Sequence, residues 1–160
     1  MKVMIAAVGR MKSGPERELA ERYLTRLKKV GAPLALDYSG LTELAESKAS
    51  SSAERKRDEA ARLLAALPDK GCLVALDETG RTPSSEEFAS QLAERRDGGT
   101  RDLALVIGGP DGLDDEIRRK ADWVVSFGRM TLPHQILRIV LAEQLYRAAT
   151  ILAGHPYHRA

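Results

Sequence analysis

A chain of 160 residues with a formal charge of +2, 43% hydrophobic and 30% charged residues, has the composition of a globular protein large enough for a hydrophobic core without staples. Its single cysteine, Cys72, excludes an intrachain disulfide and a cysteine metal cluster, and no run approaches the roughly 20 apolar residues of a membrane span. Met1-Lys2 opens on a short apolar run without signal-peptide character, so the expectation is one cytoplasmic domain over 1–160, with any nucleic-acid contact arising from local charge clusters.

Strand-like and helix-like segments alternate along the chain. Lys2 to Val8 reads as a strand ended by Gly9; Ser13 and Glu16 form a capping-box pair around Pro15 and open a helix with Leu19, Tyr23, Leu27 and Val30 on one face. Pro33 to Tyr38 reads as a second strand, and the polar stretch from Thr42 to Ser52 as a mobile surface loop. A charged helix follows, with Ala60, Leu63, Leu64 and Leu67 inward and Pro68 as its stop. Cys72 to Leu76 is a buried third strand in which Cys72 is a small core residue. Ser84 and Glu87 cap a helix that buries Phe88 and Leu92, and Leu103 to Ile107 is a fourth strand. A short helix carries Leu113 and Ile117, Trp123 to Phe127 is a fifth strand, and a last helix runs from about Pro133 to Ala153. The alternation predicts an α/β fold: a mainly parallel sheet with flanking helices.

Ligands of such sheets gather at the carboxyl ends of the strands. Three strand-end loops stand out: Leu76 to Gly80, Gly108 to Gly112 and Phe127 to Pro133. The glycine loop admits two readings, a tight turn capping a helix or a close backbone approach to a ligand; it matches neither a dinucleotide fingerprint nor a Walker motif. Asp77 reads first as a turn former, and Glu143 with Arg147 as a helix ion pair or a substrate contact. His134 fits a helix-start hydrogen bonder. The chain beyond Gly154 holds His155, Tyr157, His158 and Arg159, groups able to move protons, stack on bases and contact phosphate. Their spacing fits no metal site, and no metal is expected.

Several ordered motifs together resemble one family. Leu73-Val74-Ala75-Leu76-Asp77-Glu78-Thr79-Gly80, Ile107-Gly108-Gly109-Pro110-Asp111-Gly112, Met130-Thr131-Leu132-Pro133-His134, Glu143-Gln144-Leu145-Tyr146-Arg147-Ala148 and Pro156-Tyr157-His158-Arg159 are similar to those of the ribosomal RNA large subunit methyltransferase H family, of the SPOUT class. Val8-Gly9, Tyr23 and Arg26 extend the resemblance over the whole chain. It implies S-adenosylmethionine as methyl donor, a homodimer and a carboxyl-terminal trefoil knot. It further implies a cofactor pocket lined by Leu76, Gly109, Gly128, Arg129, Met130, Thr131, Leu132 and Pro133. The implied substrate is large-subunit rRNA within the ribosome, methylated on N3 of pseudouridine 1915 in 23S rRNA. A side chain added at Gly109 is expected to enter ligand space. Because the target nitrogen carries a proton, His158, Tyr157, Arg159 and Arg147 are candidates to accept it or to stabilise the developing anion, with the identity of any base left open. A rival reading is a catalytically inactive RNA-binding module of the same fold.

Overall fold

A computed structural model describes residues 1–158. Its five strands are β1 (Lys2–Val8), β2 (Asp37–Leu44), β3 (Cys72–Arg81), β4 (Asp102–Ile107) and β5 (Trp123–Val125). They form one sheet in the order β2-β1-β4-β3-β5, every pairing parallel. The helices are α1 (Pro15–Gly31), α2 (Ser52–Ala65), α3 (Ser85–Asp97), α4 (Asp115–Lys120) and α5 (His134–Leu152).

Side-chain alternation assigns the two faces. Val3, Ile5 and Ala7 of β1, Val74 and Leu76 of β3, and Leu103, Leu105 and Ile107 of β4 pack with Leu24 and Leu27 of α1, Phe88 and Leu92 of α3, and Leu141 and Leu145 of α5. The intervening residues Ala6, Val8, Leu73, Ala75 and Val106 face Ala60 and Leu63 of α2 and Ile117 of α4. With both faces covered, the central strands are continuous apolar runs, which made β1, β3 and β4 easy to find. Cys72 is buried as a core residue, and burial pushes its thiol up from its ordinary value.

Five local expectations need correction. The cap of α1 is Gly14, with no side-chain hydrogen bond, because Pro15 takes the first helical position and moves the start one residue beyond Ser13. Pro33 belongs to a single 3-10 turn, Ala32–Leu34, and β2 begins only at Asp37. The stretch 42–52 is not a free loop. Its first part completes β2, Ser51 caps α2 in a full capping box, and Arg62 and Arg55 donate to the carbonyls of Ala45 and Ala49. At the other edge of the sheet β3 continues past Leu76 to Arg81, while β5 stops at Val125, where the Ser126 hydroxyl donates to Gly128 O and accepts from Gly128 N. The capping box at Ser84 and Glu87 is as expected.

Candidate functional site

The three strand-end loops converge on one open cavity of about 810 Å³ at the carboxyl ends of β3, β4 and β5. Leu76, Ile107, Val125, Phe127 and Leu137 give it an apolar wall; Gly108, Gly109 and Gly112 offer bare backbone; Lys56, Asp77, Glu78 and Arg118 bring charge. Of the residues expected to line a cofactor pocket, Leu76, Gly109, Gly128, Met130, Thr131, Leu132 and Pro133 lie on this cavity and Arg129 does not. An apolar slot with backbone donors and acceptors, within the usual volume of ligand sites, fits a purine nucleoside with a polar tail.

The loop between β4 and α4 is a true tight turn: Gly112 N donates to Gly109 O, and Gly112 has φ +84°. Gly109 has a different reason to be glycine. A Cβ there would sit 3.0 Å from both Val8 Cγ1 and Glu59 Oε2, so the side chain would meet β1 and α2 and not ligand space. Gly109→Val is therefore expected to destabilise the fold by about 1–3 kcal/mol through overpacking, read as a fall in melting temperature, before any effect on a ligand is considered. An unchanged melting temperature would show that this close approach is not real.

Asp77 lies in the irregular stretch of β3 beyond Leu76: its Oδ1 accepts from the Thr79 hydroxyl at 2.6 Å and from Thr79 N at 3.0 Å, while Oδ2 accepts from Arg118 at 2.9 Å. Burial works to raise its pKa, but these bonds and the Arg118 charge outweigh it and hold the carboxyl below its ordinary range.

A second polar cluster lies along α5. Glu143 Oε1 accepts from Arg147 Nη2 at 2.5 Å, from Arg147 Nε at 2.9 Å and from the Tyr157 hydroxyl at 3.0 Å. The ion-pair reading of Glu143 and Arg147 thus holds, and the pair also reaches the tail. Tyr157 packs on Tyr146 with centroids 4.7 Å apart and ring planes tilted by 57°, and Arg147 lies over its ring. Burial first, then hydrogen bonding to Tyr23 and Glu143, pushes the Tyr157 phenol well above its ordinary value, and its hydroxyl donates to Glu143. His158 Nε2 lies 2.5 Å from the Glu86 Oε1 acceptor, and Nδ1 lies 3.4 Å from Arg147 Nη1. The Glu86 carboxyl is held below its usual range by its own backbone amide, the Ser84 hydroxyl and His158. Arg159 lies outside the described residues.

The structure therefore brings Arg147, Tyr157 and His158 together, but not onto the cavity. Leu137 lines the cavity and Arg147 is ten residues further on, about 15 Å along the helix.

Sequence reasoning missed the residues that hold these parts in place. Arg138, 3% exposed, donates to Val8 O at 2.5 Å, Gly9 O at 2.7 Å and Glu43 Oε1 at 2.8 Å. Glu43 also accepts from Met11 N and Arg17. Glu59, 4% exposed, accepts from Ser47 N at 2.8 Å. A signal existed for both: each is a charged residue at an inward helical position, Arg138 beside Leu141 and Glu59 beside Ala60 and Leu63. His134 does not cap α5, whose start has no side-chain cap; it lines the cavity instead. Among the described residues no group of three or more His, Cys, Asp or Glu is placed to hold a metal ion, and no helix is long and apolar enough to cross a membrane.

Comparison with known proteins assigns this arrangement first to a class. The family model described as predicted SPOUT methyltransferase matches residues 1–158. Two solved structures, methylase family proteins from Haemophilus influenzae and Neisseria gonorrhoeae, each superpose with a TM-score of 0.50. The first is 12% identical and covers 99% of this chain and 70% of its own; the second is 15% identical and covers 91% and 80%, a likeness of fold alone. The ribosomal RNA large subunit methyltransferase H of Mesorhizobium japonicum is 53% identical over 160 residues, the whole of both chains, and that of Allorhizobium ampelinum 54% identical over the same span. The chain belongs to the ribosomal RNA large subunit methyltransferase H family.

Proposed function

We propose that this protein transfers a methyl group from S-adenosylmethionine to N3 of pseudouridine 1915 in 23S rRNA of the large ribosomal subunit. The observation that carries the reading is similarity of more than half of all positions, without truncation, to relatives named for methylation of that subunit's RNA. The cavity supports it, since its apolar wall and glycine backbone suit the adenosine part and its charged rim the methionine part.

Bound there, S-adenosylmethionine supplies a methyl group activated by a sulfonium. The chain's own work is to orient the acceptor base, exclude water and receive the N3 proton. On this reading His158 Nδ1 is the accepting nitrogen, its ring oriented by Glu86; Arg147 faces the same atom and offers charge to the developing anion. Tyr157, held as a donor, offers a hydrogen bond or a stacking surface.

Within one chain the tail cluster and the cavity lie apart, and this supports a homodimer in which the tail of each copy serves the cavity of the other. The last helix adds a reason: Ile136 is 39% exposed, and Met130, just before it, is 84% exposed. The chain path supports the trefoil knot: from β5 at the sheet edge, 126–133 passes the ends of β3 and β4, and α5 then seats Arg138 against β1. A cytoplasmic location, where ribosomes are made, completes the reading.

Calorimetry with S-adenosylmethionine is expected to give saturable one-to-one binding per chain, and sedimentation a species of about twice the 17.5 kDa chain mass. Absence of binding by the folded protein overturns the enzyme reading; an active monomer overturns the shared site.

A further inference from the structure

We propose that Glu59 sets the cavity's preference for a sulfonium ligand over its neutral thioether counterpart, an inference that rests on the cofactor reading above. Glu59 stands on the inward face of α2, 4% exposed. One oxygen is occupied by Ser47 N; the other, Oε2, is buried without a hydrogen-bond partner. A buried carboxylate with unused acceptor capacity is unfavourable for folding and calls for an explanation. The unpartnered oxygen packs on Gly109, lying 3.0 Å from where a Cβ would project. Because Gly109 also lines the cavity, the carboxylate stands behind the glycine loop that forms part of the cavity wall.

The other acids near the cavity are largely neutralised: Asp77 pairs with Arg118 and Asp111 with Arg55, while Glu78 is exposed to water. Lys56, half-buried on the rim, and Arg55, whose charge interacts with Glu59 as well as with Asp111, are the neighbouring cations. Glu59 differs in being buried, so its field toward the loop is attenuated less than that of an exposed carboxylate. A sulfonium is attracted by that field and a thioether is not. During transfer the carbon–sulfur bond breaks as the nitrogen–carbon bond forms, the N3 proton passes to a base, and the donor becomes neutral. The spent ligand therefore loses an attraction that the fresh one has, and exchange is favoured.

Calorimetry on the full chain with S-adenosylmethionine, S-adenosylhomocysteine and sinefungin, whose amine places a positive charge near the sulfonium position, tests this. In the unaltered protein both cations are expected to bind about tenfold more tightly than S-adenosylhomocysteine. E59Q should reduce that preference to about twofold while changing affinity for S-adenosylhomocysteine little; E59D, still charged, should keep it. Equal affinities in the unaltered protein, a comparison that needs no variant to fold, overturn the inference. So does an E59Q protein that weakens all three ligands by one factor, the signature of a purely structural residue. Failure of the unaltered protein to bind any of them overturns the cofactor reading itself, a result distinct from bound ligands without preference.

Discussion

His158→Ala is expected to lower methyl transfer to 23S rRNA by about 10²- to 10⁴-fold, the usual contribution of a positioned general base, with affinity for S-adenosylmethionine nearly unchanged. The separation of effects follows from geometry. His158 touches Glu86 and Arg147 and lines no part of the cavity. The melting temperature should change little, because the ring makes one hydrogen bond to the exposed Glu86 and joins no core cluster, and such a bond contributes about 0.5–1.5 kcal/mol. Glu86→Gln, which keeps the ring in place less firmly, should cost a smaller factor. If each tail serves the other copy's cavity, mixing His158→Ala with a cavity variant such as Leu132→Glu should restore part of the activity that both lack alone. Full activity of His158→Ala would remove the histidine from the chemistry, and absence of rescue would return tail and cavity to the same chain.

Arg138→Met is expected to give the largest loss of stability, about 3–5 kcal/mol, as measured by urea unfolding. Methionine matches much of the volume but takes the Arg138 donor from the carbonyls of Val8 and Gly9 and leaves Glu43 Oε1 with Met11 N alone. Against a total of about 5–15 kcal/mol this is severe. The paired variant Arg138→Met with Glu43→Gln should recover part of the loss, since the half-buried acid would no longer be charged; Arg17, its other charged partner, is 38% exposed and can be solvated by water. A change below about 1 kcal/mol for Arg138→Met would mean that these bonds are replaceable.

The parts of the molecule legible in the sequence are those governed by local pattern. Apolar runs gave β1, β3 and β4, the serine and glutamate pair at Ser84 and Glu87 gave the start of α3, and an inward stripe gave α5. Edges were harder. β2 carries Ser39, Gly40, Thr42 and Glu43 because an edge strand is partly exposed, so its polar half read as loop. The cavity-lining loops were recognisable from glycine, proline and their place at strand ends. What escaped were pairings between distant segments: Glu59 with Ser47 and Gly109, Arg138 with β1, His158 with Glu86. No local period encodes such partners, and only the buried position of the charged residue hints that one exists.

The bonds from Arg138 to Val8 and Gly9 span 130 and 129 residues, nearly the length of the protein. A nascent chain emerging from its first residue can assemble β1 to β4 and their helices early, yet the carbonyls at the end of β1 and the acid of Glu43 wait for a donor synthesised near the end. The segment that closes the cavity, 126–133, is translated immediately before that donor and is held in place by the helix that bears it. The ligand site thus depends on contacts between segments about 130 residues apart, in a parallel sheet, a topology whose distant pairings slow folding. Unfinished or broken chains that retain the sheet would lack a working pocket, so only completed molecules would draw on the cell's methyl donor.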